Sequence, residues 1–360
     1  MHFAKGAVPE DYLAYVRRKY FWILGGLLLL FFMFIYSISV GEVEIPLYKV
    51  MQTLLGQKPV TKWDVGVRSI IWNIRLPQAL AAIVAGAGLS VAGVVMQSIL
   101  RNPLGSPFTL GISNAGAFGA AVSVVVLGTG KIQSTVADPI MINNPYLTTI
   151  VAFFFCLLAT GIILLISRIR ASSPEVMVLA GVALSSLFTA GTMFLQYFAD
   201  DTQLAAVVFW TFGDVGRVNW LELKIMTCVV LFATIFFIIN RWDYNAIDAG
   251  DETAKGLGIN VERVRLVGMV IAALVSAVIV SFLGVIGFVG LVCPHMARRV
   301  IGDDQRYLIP GSTLLGGILL LASDTAARLI VSPYVLPVSI LTAFMGAPIF
   351  IYLLLRGYKR

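Results

Sequence analysis

Of the 360 residues, 59% are hydrophobic and 12% charged, with 26 Lys and Arg against 19 Asp and Glu for a formal net charge of +7. Soluble domains average about 25% charged residues, so the composition excludes a soluble protein and predicts an integral membrane protein. The basic residues sit in short caps between apolar runs, which reads as membrane topology rather than a nucleic-acid footprint.

The chain opens with about twenty polar and amphipathic residues, a cytoplasmic segment (1–20) ending in Arg17-Arg18-Lys19. The run Phe21–Val40 is too long for a cleavable signal and lacks a small-residue cleavage site. It predicts a retained first span with its basic end inside. Residues 41–73 mix acidic, aromatic and Pro residues and predict an outer segment with an amphipathic helix. Leu76–Leu100 carries no charge, and at 1.5 Å per residue it spans a bilayer as a helix. Small residues recur along it (Ala85, Gly86, Gly88, Ala92, Gly93), the pattern that lets helix backbones approach closely, so it predicts the centre of a helix bundle. Gln97, a polar amide near its inner end, is a pathway candidate.

Further apolar runs predict spans near Leu110–Leu127, Leu147–Ile166, Val176–Phe198, Leu221–Ile239, Val264–Phe282, Val285–Val300, Leu308–Ile330 and Leu336–Leu355, ten in all. The uninterrupted runs favour helices over a barrel. The fold class is therefore an all-α polytopic membrane protein, with a transmembrane domain over 21–355 and a short cytoplasmic tail, 356–360. With the amino terminus inside, inner segments hold roughly twice as many basic residues as outer ones, the bias of the positive-inside rule. Within the inner loop 240–265, Asp251-Glu252-Thr253-Ala254-Lys255-Gly256-Leu257-Gly258 predicts a short polar helix ended by glycine. This loop is a docking element for a cytoplasmic partner or a solvated connector.

The sequence offers little chemistry of its own. Nothing fits the phosphate-binding pattern G-x-x-x-x-G-K-[ST], so the chain is not expected to bind ATP by that route. Cys156, Cys228 and Cys293 lie far apart inside apolar runs and predict buried, inert thiols. His2 and His295 have no neighbours that complete a metal site. Asp324 and Arg328, four apart, share a helical face. In a membrane they must pair or face a cavity, as a structural pair or a functional one. No nucleophile–base pair assembles from these runs, and a proton-coupled carrier would need a relay of buried acids that is missing here.

Several motifs occur in one order: Arg75-Leu76-Pro77-Gln78, Arg101-Asn102-Pro103-Leu104-Gly105-Ser106-Pro107, Leu110-Gly111-Ile112-Ser113-Asn114-Ala115-Gly116, Leu179-Ala180-Gly181-Val182, the run Gly284 to His295, Leu308-Ile309-Pro310-Gly311, Ala322-Ser323-Asp324-Thr325-Ala326-Ala327-Arg328 and Gly346-Ala347-Pro348. Together they resemble the FecCD family of ABC importer permeases, which move iron–siderophore complexes, haem or cobalamin, and the match runs from Arg75 to the end. The resemblance implies a ten-helix type II importer permease in a prokaryotic cell membrane that pairs with a second copy or close relative. Two cytoplasmic ATPase subunits would use ATP, and an extracytoplasmic substrate-binding protein would deliver substrate. The chain itself would bind no cofactor and catalyse no reaction. Arg75 and Arg328 match outer arginines that receive the binding protein's carboxylates. Gln78 departs from the pattern, since arginine is common there, and Arg68 is a candidate substitute. Asn102 and Leu104 match the family's inner gate. A second gate layer reads Ser173-Pro174-Glu175 instead of a hydroxyl run. Asp251, Ala254, Leu257 and Gly258 match the segment that docks on the ATPase. An iron(III)–siderophore is the expected cargo, with cobalamin or haem as alternatives. An ion-coupled secondary transporter is the rival class.

Overall fold

The computed structural model describes residues 10–129, 144–169, 173–331 and 334–355. The first nine residues and the tail 356–360 therefore lie outside the described residues. Those described fold into helices and connecting turns without strands, as hydrocarbon requires of a backbone that cannot reach water.

Each of the ten predicted spans falls on a helix, but among the described residues seven helices are long and apolar enough to cross a membrane, the helices Ile112–Val126 and Val338–Tyr352 being shorter. Two departures are informative. Helix α1 (Glu10–Ser39) leads through two short amphipathic helices, α2 (Leu47–Leu54) and α3 (Lys62–Ile70), to α4 (Leu76–Ile99). The segment 41–73 is thus largely helical. Moreover α3 and α4 are one continuous helix of 38 residues, Lys62–Ile99, about 57 Å long against a hydrocarbon core of about 30 Å. Between them, Ile71–Arg75 widens into a π-helical turn because Pro77 has no N–H to give. In that i→i−5 register the unserved carbonyl belongs to Trp72, and Trp220 Nε1 donates to it at 2.9 Å.

Then follow α5 (Ile112–Ala121), α6 (Pro145–Ile169), α7 (Pro174–Phe198), α8 (Asp201–Thr211), α9 (Trp220–Ile239), α10 (Arg241–Asp248), α11 (Asp251–Gly256), α12 (Val261–Leu283), α13 (Val289–Ile301), α14 (Gln305–Leu329) and α15 (Val338–Leu355). The second departure is the predicted span Val285–Val300. The chain leaves α12 at Gly284 (φ 82°), and Phe288 is left-handed (φ 65°). The helix resumes only at Val289, so α13 is about 20 Å long and too short to cross a membrane. Non-helical backbone at that depth is tolerated where protein surrounds it. Here the Asp214 N–H donates to the Leu283 carbonyl at 2.9 Å, and Val285 packs against Gly213.

Helix α4 is the hub. In the most apolar window of Lys62–Ile99, 78% of residues are buried, compared with 67% for α12 and α14, 28% for α6 and α9, and 11% for α1. The small residues that single α4 out in the sequence make this possible. A Cβ on Gly86 would overlap the Gly316 carbonyl of α14, and one on Gly93 would overlap the Gly290 carbonyl of α13. Ser90 Oγ closes the same seam by donating to the Ser312 carbonyl at 2.7 Å. The bundle has two polar ends: an arginine end, where α1 stops and α4 starts, and a loop end, where α4 stops and α10–α11 fold. The expected burial of all three thiols needs one correction, since Cys228 on α9 is exposed.

Candidate functional site at the two ends of the bundle

At the arginine end, the last carbonyls of α1 need donors from outside the helix, because the final turn of an α-helix leaves them unpaired. Helix α1 carries no basic residue in its last turn, and donors arrive from two other helices. Arg75 Nη1 donates to the carbonyls of Ile38 (2.8 Å) and Ser39 (2.9 Å), while Nη2 donates to Val43 O. From α14, Arg328 Nη1 donates to the carbonyls of Ser37 and Val40, both at 3.1 Å, and Nη2 donates to Ser37 Oγ at 2.6 Å. A helix C-terminus favours cations. Both arginines are buried, 6% and 8% exposed, so their guanidinium groups face α1 rather than solvent.

Arg328 also pairs with Asp324 at 3.0 Å, and the other Asp324 oxygen accepts from Gln78 Nε2 at 2.9 Å. Gln78 thus satisfies a buried carboxylate without adding a second charge beside Arg328. Arg68 lies elsewhere, exposed on α3. It borders a cavity of about 360 Å³ between α2 and α3, with Lys49, Lys58 and Asp64.

Gln97 lies at the packed contact of α4 with α13. It is 3% exposed, and Nε2 donates to the Leu291 carbonyl at 3.3 Å, while Oε1 has no partner among the described residues.

At the loop end, α4 stops and the chain turns sharply. Arg101 takes a left-handed φ of 44°. The Asn102 side chain accepts from the Leu104 N–H at 2.9 Å, and Leu104 is 45% exposed. His295 Nε2 lies 2.8 Å from the Pro103 carbonyl. The turn 101–105 is thus held from α13, a contact the sequence spacing of 192 residues gives no hint of. In the second predicted layer, Ser173 Oγ donates to the Glu175 carboxylate at the start of α7.

Beside this turn, α10 and α11 fold as predicted for the charged loop, with α10 as an additional element. Helix α11 ends in a Schellman arrangement: the Ile259 N–H donates to the Ala254 carbonyl (3.0 Å), the Gly258 N–H to that of Lys255 (2.9 Å), and Gly258 is left-handed, φ 84°. Ala254 is fully buried with Ala246, Ile247 and Val261, so it forms the loop's own core. The outward face belongs to Glu252, Thr253, Lys255 and Leu257, the last 68% exposed. Asp251 pairs with Arg265 of α12 at 3.0 Å. Burial alone would raise the carboxyl of Asp304, next to α14. Hydrogen bonds from the Arg306 side chain and backbone and from Asn245 instead hold it below its ordinary value.

The sequence profile described as the FecCD transport family matches residues 28–356. A protein of Methanocaldococcus jannaschii, named provisionally as an ABC transporter permease, is 53% identical across 98% of this chain and 99% of its own length. The hemin transport system permease protein of Yersinia pestis is 36% identical (82% of this chain, 87% of that one), and the Fe(3+)-citrate import system permease protein of Bacillus subtilis is 34% identical (88% and 90%). Among solved structures, an inward-facing conformation of a transporter provisionally assigned to the metal-chelate ABC type superposes with a TM-score of 0.79 at 28% identity, covering 93% of this chain and 99% of that one.

Proposed function

Because the chain belongs to the FecCD transport family, we propose that it is the membrane-spanning subunit of an ATP-driven importer whose cargo is an iron(III) chelate of the siderophore type. The observation that carries this reading is the family match over 28–356, and the ferric citrate permease among its relatives supports iron chelate as cargo. The hemin permease supports haem as a second reading, and cobalamin belongs to the same test. The permease itself would hydrolyse nothing and hold no cofactor; two cytoplasmic ATPase subunits would use ATP, and an extracytoplasmic binding protein would deliver the chelate. A second copy of the chain would cover the poorly buried face of α7, where Leu179, Leu187 and Phe194 are more than 60% exposed.

In this reading the loop end is cytoplasmic and the arginine end faces outward in a prokaryotic cell membrane, as the basic residues Arg17, Arg18, Arg101, Arg241, Arg263 and Arg299 near the loop end support. The turn with Asn102 and Leu104 is the inner gate. Asp251, Ala254, Leu257 and Gly258 build the ATPase-docking element: Leu257 supplies contact, Ala254 internal packing, Gly258 the stop and Asp251 the tie to α12. Gln97 serves the pathway, supported by its unpartnered oxygen. Arg75 and Arg328 serve binding-protein docking by competition. Their guanidinium groups hold α1 carbonyls at rest, and incoming carboxylates, stronger acceptors than carbonyls, would take them over.

The test is reconstitution in liposomes with the cognate ATPase and binding protein, offering ferric citrate, a ferric hydroxamate, haemin and cyanocobalamin in turn. ATP-dependent uptake of a ferric chelate is expected. Uptake driven by a proton gradient through the permease alone would establish the secondary-transporter class instead.

A further inference from the structure

The end of α4 is tied to the α10–α11 segment by two separate connections, each ending within three residues of the turn at 101–105. In the first, the Asp248 carboxylate accepts from Ser98 Oγ at 3.2 Å and from Gln305 Nε2 at 2.8 Å, and the same Gln305 Nε2 donates to Ser98 Oγ at 2.7 Å. Ser98 and Gln305 are buried, 0% and 1% exposed. In the second, Arg265 Nε donates to the Ile99 carbonyl at 2.8 Å, while Nη2 binds both Asp251 oxygens at 3.0–3.1 Å. Ile99 is in the last turn of α4, where carbonyls lack intrahelical donors. Two residues on, the backbone reverses at Arg101, and the Asn102 and Gly105 N–H groups close the turn on Gln97 O and Asn102 O.

We infer that Asp248 and Arg265 are positioning residues through which the α10–α11 segment sets the geometry of the turn carrying Asn102 and Leu104. The inference rests on the transport reading above and adds to it the bonds by which a force on α11 reaches the gate. The buried partners leave these side chains few alternatives: a displaced Asp248 deprives the Ser98 hydroxyl and one Gln305 N–H of their acceptor, and a displaced Arg265 strands the Ile99 carbonyl. A buried polar group left without a partner is costly, so displacement of the segment drags the end of α4 with it rather than letting the contacts slip. Between two elements so joined, coupling carried by specific bonds is measurable by mutation.

Two experiments test this. In the first, hydrogen–deuterium exchange is followed in the detergent-solubilised chain alone. Asp248→Ala and Arg265→Ala are each expected to speed exchange over residues 100–105 by about tenfold, the scale of a lost buried hydrogen bond. Asp248→Asn, which keeps an oxygen acceptor, should restore slow exchange, and Lys224→Gln on the exposed far end of α9 should change nothing there. Unchanged exchange in both alanine variants would overturn the inference, as would an Asp248→Asn variant as fast as Asp248→Ala. In the second, uptake and ATP hydrolysis are measured in the reconstituted assembly. The alanine variants are expected to keep hydrolysis while uptake per ATP falls about tenfold; an unchanged ratio, or parallel loss of both activities, would reduce these residues to scaffold and overturn the inference. Faster exchange alongside a wild-type assembly that shows no ATP-driven uptake would instead fault the transport reading and leave the mechanical tie standing.

Discussion

The two arginines that the motifs single out do more work inside the protein than their outer positions in the topology suggest. Together they take up carbonyls of Ser37, Ile38, Ser39, Val40 and Val43, a C-cap assembled from two other helices. Arg328→Ala should cost about 3–5 kcal/mol, because it leaves Asp324 buried with only Gln78 as partner. The double variant Asp324→Asn/Arg328→Ala should recover part of this, and thermal unfolding in detergent checks both; a double variant less stable than the single would contradict the pairing. Arg75→Lys separates structure from docking. It keeps the charge but loses the planar fork that serves three carbonyls, so stability should fall while the salt dependence of binding-protein association is retained. Binding-protein association unaffected by Arg75→Glu/Arg328→Glu, measured by titration onto the liposome-embedded permease, would reject docking for both.

At the scale of the element, the α10–α11 unit combines a small core with an exposed rim, and the two parts should fail differently. Ala254→Trp cannot be accommodated among Ala246, Ile247 and Val261, so local unfolding is expected, seen as proteolytic nicking within 240–260. Leu257→Asp touches no core and should leave the fold intact while ATPase binding weakens; an equally nicked Leu257→Asp protein would show that the rim is structural. Gly258→Ala places a Cβ on a left-handed residue at a cost of about 1–2 kcal/mol. It should shorten the lifetime of the Schellman bonds, measured as faster exchange at the Ile259 amide. The charged loop, its short helix and its glycine stop were legible because capping is local chemistry. The inward facing of Ala254 was not, because it depends on Val261 of α12 arriving beneath it.

For the whole molecule, the orientation is testable without any partner. A single cysteine introduced at Lys58 should react with a membrane-impermeant maleimide in right-side-out vesicles, and one at Leu257 only after the vesicles are opened; both sites are exposed. The native Cys228, exposed on α9, is first changed to Ser. The reverse labelling pattern would invert the assignment of the two ends. The hub position of α4 makes a second demand: Gly316→Leu would drive a side chain into the Gly86 backbone, overpacking that costs about 1–3 kcal/mol or more. Loss of the monodisperse peak in size-exclusion chromatography is the expected result.

The sequence by itself determined that this is a helical membrane protein, where its apolar runs lie, that α4 is the packed centre and which family its motifs resemble. Length, hydropathy and small-residue spacing act within one helix and are written along it. The tertiary structure alone decided that α13 is half a span, that α3 extends α4 across a proline-induced π turn, and that Arg75 and Arg328 turn inward to cap α1. It also decided that Gln78 serves Asp324, 246 residues away, and that Asp248 and Arg265 reach the end of α4. The last three of these are pairings between a donor and an acceptor on different helices. Hydropathy shows that a buried polar group needs a partner, but only the packing of the bundle brings one within hydrogen-bonding distance.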